Sequence, residues 1–84
     1  MTLRFGTDVS TAETEYGTVL LDQRTGEYWE LNPTGALVVR MLMTEGDEAA
    51  AVTALVARFD IDRDHAEQDV SALVRDLRSA GLVS

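Results

Sequence analysis

Eighty-four residues are one domain's worth of chain, and folding at this size buries roughly 60–70% of the unfolded surface, enough for one compact core. With 45% hydrophobic and 26% charged residues and no cysteine, the composition is that of a globular chain, which excludes wholesale disorder, disulfide scaffolds, thiolate zinc sites and cysteine nucleophiles. Fifteen acidic against seven basic side chains give −8; nucleic acid and anionic membrane surfaces bind clustered cations, whereas Arg4, Arg24, Arg40, Arg58, Arg63, Arg75 and Arg78 are scattered. A neutral or basic peptide, or a basic patch on another protein, remains compatible with this charge.

The chain opens MTLRFGTDVS, without the basic-then-apolar layout of a secretory signal. No apolar run approaches the ~20 residues that span a bilayer, so the expected address is the cytoplasm. Val9, Thr11 and Glu13 alternate with small or polar residues, a weak period-two pattern for a first strand. Glu15-Tyr16-Gly17 supplies a turn, and Thr18 to Asp22 a second strand ended by a turn former. Gln23-Arg24-Thr25-Gly26 reads as a tight hairpin loop, with Gly26 where φ > 0 is needed. Glu27 to Leu31 is a third strand, rich in aromatics and alternating Trp29 and Leu31 against Tyr28 and Glu30. Three strands joined by two short turns make an antiparallel meander.

Asn32-Pro33 then offers a strong N-cap followed by a residue pre-organised for the first helical position. The spacing predicts a helix from there to about Thr44, with Leu37, Val38, Met41 and Leu42 as its apolar stripe and Gly46 just past its end. A second helix starts around Asp47-Glu48, where acidic residues suit the positive end of the dipole, and carries Val52, Leu55, Val56 and Phe59 as its stripe. Asp60-Ile61-Asp62 is a short connector in which Asp62 caps a third helix, expected over Arg63 to Ala80. Its stripe is Ala66, Val70, Leu73, Leu77 and Ala80, within about 80° of arc at 3.6 residues per turn. Gly81 ends it, and Leu82-Val83 fold back as an apolar tail. Strands first and helices after, with no repeat or linker, read as one α+β domain over residues 1–84, compatible with a winged-helix relative.

No catalytic constellation emerges. Asp60-Ile61-Asp62-Arg63-Asp64 begins like a calcium loop, but His65 and Ser71 stand where the loop needs its glycine and its bidentate glutamate. His65 is the only histidine and sits on the polar side of a first helical turn, without the orienting partners of a base or metal ligand. Ser10, Thr11 and Thr25 have no histidine or lysine at nucleophile spacing, and Gly26 and Gly35 do not form a phosphate loop. The expectation is a non-enzyme without metal or cofactor.

The third strand lies at a sheet edge, with one row of backbone amides and carbonyls unpaired. Glu27 and Glu30 can be edge protection, and Trp29 and Leu31 core. Alternatively the edge accepts an extended peptide as an extra strand, with Tyr28 and Trp29 the residue types that dominate such pockets. On the third helix, Asp69 and Asp76 flank the apolar stripe on one side, as a solvated face or as register-fixing acceptors beside a peptide groove. The residues alone leave both readings open.

The run from Val19 to Gly35 resembles the LLD-x-x-T-G-x-Y-x-x-L-N-P-T-G signature of PqqD-like proteins, and Asp69-Val70 with Leu77-Arg78-Ser79-Ala80-Gly81-Leu82 is similar to that family's D-V … L-x-x-A-G-L ending. The resemblance covers nearly the whole chain. Tyr28-Trp29 followed by Leu31-Asn32-Pro33-Thr34 looks most like the stand-alone precursor-recognition proteins of lasso-peptide clusters. The resemblance implies a RiPP recognition element, a winged-helix-like domain that binds the leader of a ribosomally made precursor peptide without catalysing anything. In that family the leader adds to the edge of the third strand and packs against the third helix. Carried over, Glu27, Tyr28, Trp29, Glu30 and Leu31 supply the pairing backbone and pocket walls, and Asp69, Leu73 and Asp76 the helix side. The implied partners are the precursor leader and a leader peptidase, with the ring-closing cyclase as a further candidate. PqqD-like domains also serve radical enzymes in other RiPP pathways, and an acidic protein-interaction subunit is the remaining alternative.

Overall fold

A computed structural model of the chain describes residues 3–15 and 17–83. Strands β1 (Val9–Thr14), β2 (Gly17–Asp22) and β3 (Glu27–Leu31) precede helices α1 (Pro33–Glu45), α2 (Glu48–Phe59) and α3 (Arg63–Ser79). The sheet is an antiparallel meander in the order β1-β2-β3. Its first turn is tighter than expected. Gly17 is not in the loop but opens β2 opposite Thr14, with φ +130°, and Thr14 Oγ1 donates to the Gly17 carbonyl at 2.9 Å. Tyr16, placed in that turn by its sequence, lies outside the described residues. The second turn matches its sequence signal: Gly26 has φ +79°, and its N–H donates to the Asp22 carbonyl at 2.8 Å. Asp22 is buried, and its carboxylate accepts from the Arg24 backbone N–H at 3.0 Å and lies 3.5 Å from the Arg24 guanidinium. A short carboxylate folded back on the chain two residues ahead braces the loop from inside.

Caps set the helix boundaries. Asn32 Oδ1 accepts from Gly35 N at 2.7 Å with Pro33 behind it, Asp47 Oδ1 accepts from Ala49 N at 3.0 Å, and Asp62 Oδ1 from His65 N at 2.8 Å. At the other end of α1, Gly46 takes the left-handed conformation at φ 68° and donates to the Leu42 carbonyl, the motif for which glycine has no Cβ penalty. Asp60 ends α2 in the same conformation, φ 54°, one of the few side chains tolerated there.

One sheet face lies on α1, through Leu20, Trp29 and Leu31; α2 packs on α1, and α3 on α2. The buried stripes differ from those expected in three places. On α1 the buried residues are Val38, Val39 and Leu42, with Leu37 and Met41 only half-buried. On α2 they are Ala51, Val52 and Leu55, while Phe59, the last helical residue, is 37% exposed. On α3 they are Ala66, Val70, Val74 and Leu77. Leu73 is half-buried and Ala80 exposed. Periodicity places Leu73 in the stripe and leaves Val74 out; α3 packs chiefly on α2, which turns Val74 inward and leaves Leu73 on the flank. Beyond Ser79 the chain turns at Gly81 (φ 77°), and Leu82 and Val83 are buried while Ala80 is exposed. Phe5 and Val83 form an antiparallel bridge, and Leu3, Gly6 and Leu82 tie the N-terminal segment to the Gly46 carbonyl and the tail.

Candidate functional site

Among the described residues β3 pairs with β2 alone, so its other edge carries backbone donors and acceptors with no strand against them. Register decides which way its side chains point. Trp29 stands opposite the fully buried Leu20, so Glu27, Trp29 and Leu31 share the helix-facing side, since successive residues alternate. Trp29 and Leu31 are half-buried against the core. Tyr28 and Glu30 point to the opposite face, and Tyr28 is 63% exposed. The two aromatic neighbours therefore serve different faces of the sheet.

At the C-terminal end of β3 a groove of about 270 Å³ opens between the start of α1 and α3. α3 packs chiefly on α2, which leaves this groove between it and the strand end. Val38 and Leu55, both buried, reach its base, while Asn32, Thr34 and Gly35 line one side. The other side is Asp69, Ala72, Leu73 and Asp76 of α3. All three α3 residues singled out in the sequence thus fall on one groove, on one flank of the helix at about 100° per residue. A Cβ built on Gly35 comes within 3.9 Å of Leu31 and 3.0 Å of Asn32 Oδ1, so the groove begins where β3 ends. The β3 residues from Glu27 to Leu31 supply the adjoining edge.

The rim is acidic. Asp69 and Asp76 are exposed on either side of Leu73, and no basic side chain lines the groove. His65 Nε2 lies 3.4 Å from Asp69 Oδ2, one helical turn back, so the histidine read as silent sits against a groove residue. An apolar floor with carboxylates at its mouth suits an extended peptide whose apolar side chain enters while polar groups meet the aspartates. No cluster of three or more His, Cys, Asp or Glu fit to hold a metal occurs among the described residues, and no helix there is long and apolar enough to cross a membrane. Sequence reasoning missed Asn32, Thr34, Gly35, Val38, Leu55 and Ala72 as groove residues. The available signal was the Asn32–Gly35 spacing, which brings a side-chain-free position to the strand end.

Known proteins share this architecture. A lasso peptide synthetase B1 complexed with the leader peptide is 39% identical, with a TM-score of 0.88 over 100% of this chain and 99% of that one. TbiB1 in complex with the TbiA(beta) leader peptide is 26% identical, with a TM-score of 0.85 over 96% and 94% of the two chains. Among curated proteins nothing matches at a significant level. The family model for coenzyme PQQ synthesis protein D matches residues 17–83, from the start of β2 to the folded-back tail; this chain belongs to the PqqD family.

Proposed function

We propose that this chain is a non-catalytic leader-binding domain of lasso-peptide maturation. The leader segment of a ribosomal precursor adds as a fourth strand to the free edge of β3, lays side chains into the groove against α3, and is presented to a leader peptidase. The whole chain, residues 1–84, acts as one such domain in the cytoplasm, and the cyclase is a candidate second partner. What carries the reading is the unpaired β3 edge running into a groove that Asp69, Leu73 and Asp76 line together. The two similar structures, both described as complexes with leader peptides, support it. Main-chain pairing supplies sequence-tolerant affinity, and alternate side chains of the guest, entering the groove, supply selectivity. The leader loses conformational freedom on ordering, so a few buried anchors provide most of the net affinity.

The test is a titration with a synthetic lasso-precursor leader peptide, followed by tryptophan fluorescence and amide hydrogen exchange. Expected are saturable binding, slowed exchange within Glu27–Leu31, and affinity about tenfold weaker in Asp69→Lys or Asp76→Lys, with Arg58→Ala unchanged. Binding that leaves β3 exchange untouched, or equal affinity in all these folded variants, overturns the assignment. The family's name in coenzyme PQQ synthesis favours a second reading, the same groove serving a radical enzyme's peptide. A leader from that class of cluster binding in place of the lasso leader would select it.

A further inference from the structure

We infer that a recess on the α1 face turned away from the leader groove, closed by the last turn of α2, docks an acidic segment of a protein partner, anchored by one apolar side chain. Arg40 of α1 and Arg58 of α2 converge on a recess of about 220 Å³ lined also by Pro33, Ala36, Leu37 and Phe59. Although the chain has 15 acidic residues against 7 arginines, no carboxylate lines this recess; Glu13 lies in the neighbouring cleft that Arg40 also borders. Asp60 follows Phe59 in sequence but is not among the lining residues. Phe59 is a large apolar side chain exposed at 37%, and aromatics and arginine are the residue types enriched where proteins bind one another.

Size and charge choose the occupant. Sites for small molecules run to about 300–1,000 Å³, so this recess suits a single side chain from a peptide. Two arginines are too few for nucleic acid, which needs several phosphate contacts. A short acidic segment instead places carboxylates on the two guanidiniums, which accept them in bidentate geometry. On α1 the recess residues Pro33, Ala36, Leu37 and Arg40 lie on the side opposite Thr34, Gly35 and Val38, which line the leader groove. Both sites are open at once, so the surface holds a partner without displacing a leader.

The probe is the peptide acetyl-Glu-Glu-Leu-Phe-Glu-Glu-amide, titrated into ¹⁵N-labelled full chain, with its Lys-for-Glu counterpart as control. Saturable shifts are expected at Leu37, Arg40, Arg58 and Phe59, with Asp69, Leu73 and Asp76 unmoved and with binding weakened by salt. The double variants R40A/R58A and R40E/R58E should fold normally, both positions being exposed, and should lose affinity by about tenfold or more. No shifts at millimolar peptide, shifts centred elsewhere, equal binding by the lysine peptide, or undiminished binding by the folded double variants overturns the proposal.

Discussion

Asn32 and Gly35 together show how much one short side chain organises here. Asn32 Oδ1 satisfies the Gly35 amide at 2.7 Å, one of the first-turn donors that have no helical partner. The Asn32→Ala variant is expected to lose about 1 kcal/mol, a fall of about 4–8 °C in melting temperature for a domain this size. Gly35→Ala acts on the same contact from the other side, because its Cβ would stand 3.0 Å from Asn32 Oδ1. The helix propensity gained by replacing glycine offsets part of this, so the melting temperature should change less than in Asn32→Ala, while the added Cβ narrows the groove and lowers leader affinity in the folded protein. Trp29 differs in kind. It is half-buried against the core and also belongs to the β3 edge. Fully buried Trp→Ala changes cost about 3–5 kcal/mol, so Trp29→Ala should lose somewhat less, and circular dichroism must accompany any binding loss assigned to it.

At the scale of the elements, α3 separates stability from recognition between two adjacent residues. Val74 is 3% exposed and faces α2, whereas Leu73 is half-buried on the groove side. Val74→Ala should therefore cost roughly 1–2 kcal/mol, scaled down from the range for larger buried side chains, with leader affinity per folded molecule unchanged. Leu73→Ala, at a position half-buried against the core, should cost about 1 kcal/mol, below the range for fully buried leucines, and weaken leader binding several-fold. Equal effects of the two on binding would mean that α3 does not line the leader's path. The same pair explains what the sequence could tell. Hairpin turns and caps were legible at Gly26, Asn32-Pro33, Gly46 and Asp62 because their chemistry is local. The phase of the α3 stripe was not, since Leu73 and Val74 are equally apolar and only the one-sided contact with α2 distinguishes them. Asp69, Leu73 and Asp76 were found through the resemblance and one helical flank. Asn32, Gly35, Val38 and Leu55 come from three other segments, and no periodicity joins positions that meet only after folding.

Over the whole molecule, the two ends of the described chain close on each other beside Gly46 and the last turn of α3. Leu3 is 5% exposed, Leu82 1% and Val83 8%, and the Phe5–Val83 bridge with the Gly6 to Leu82 hydrogen bond at 3.0 Å makes a small clasp. Leu82 N also donates to the Leu77 carbonyl at 2.9 Å, so the clasp holds the last turn of α3. A domain's total stability is about 5–15 kcal/mol, and truncating a buried leucine costs about 2–5, so Leu82→Ala should remove a large share of it. Its effect on recognition should be small by comparison. Ala66, Val70 and Val74 still seat α3 on α2, and Asp69 and Leu73 lie about three and a half and two and a half turns before Leu82, with Asp76 the groove residue nearest the clasp. Measured well below the lowered melting temperature, Leu82→Ala should bind leader with unchanged affinity per folded molecule, while amide exchange quickens in Leu77–Ser79 and in the segment around Phe5. A matching loss of affinity would show that the clasp sets the position of α3 along its whole length, and that the groove wall is held from its far end.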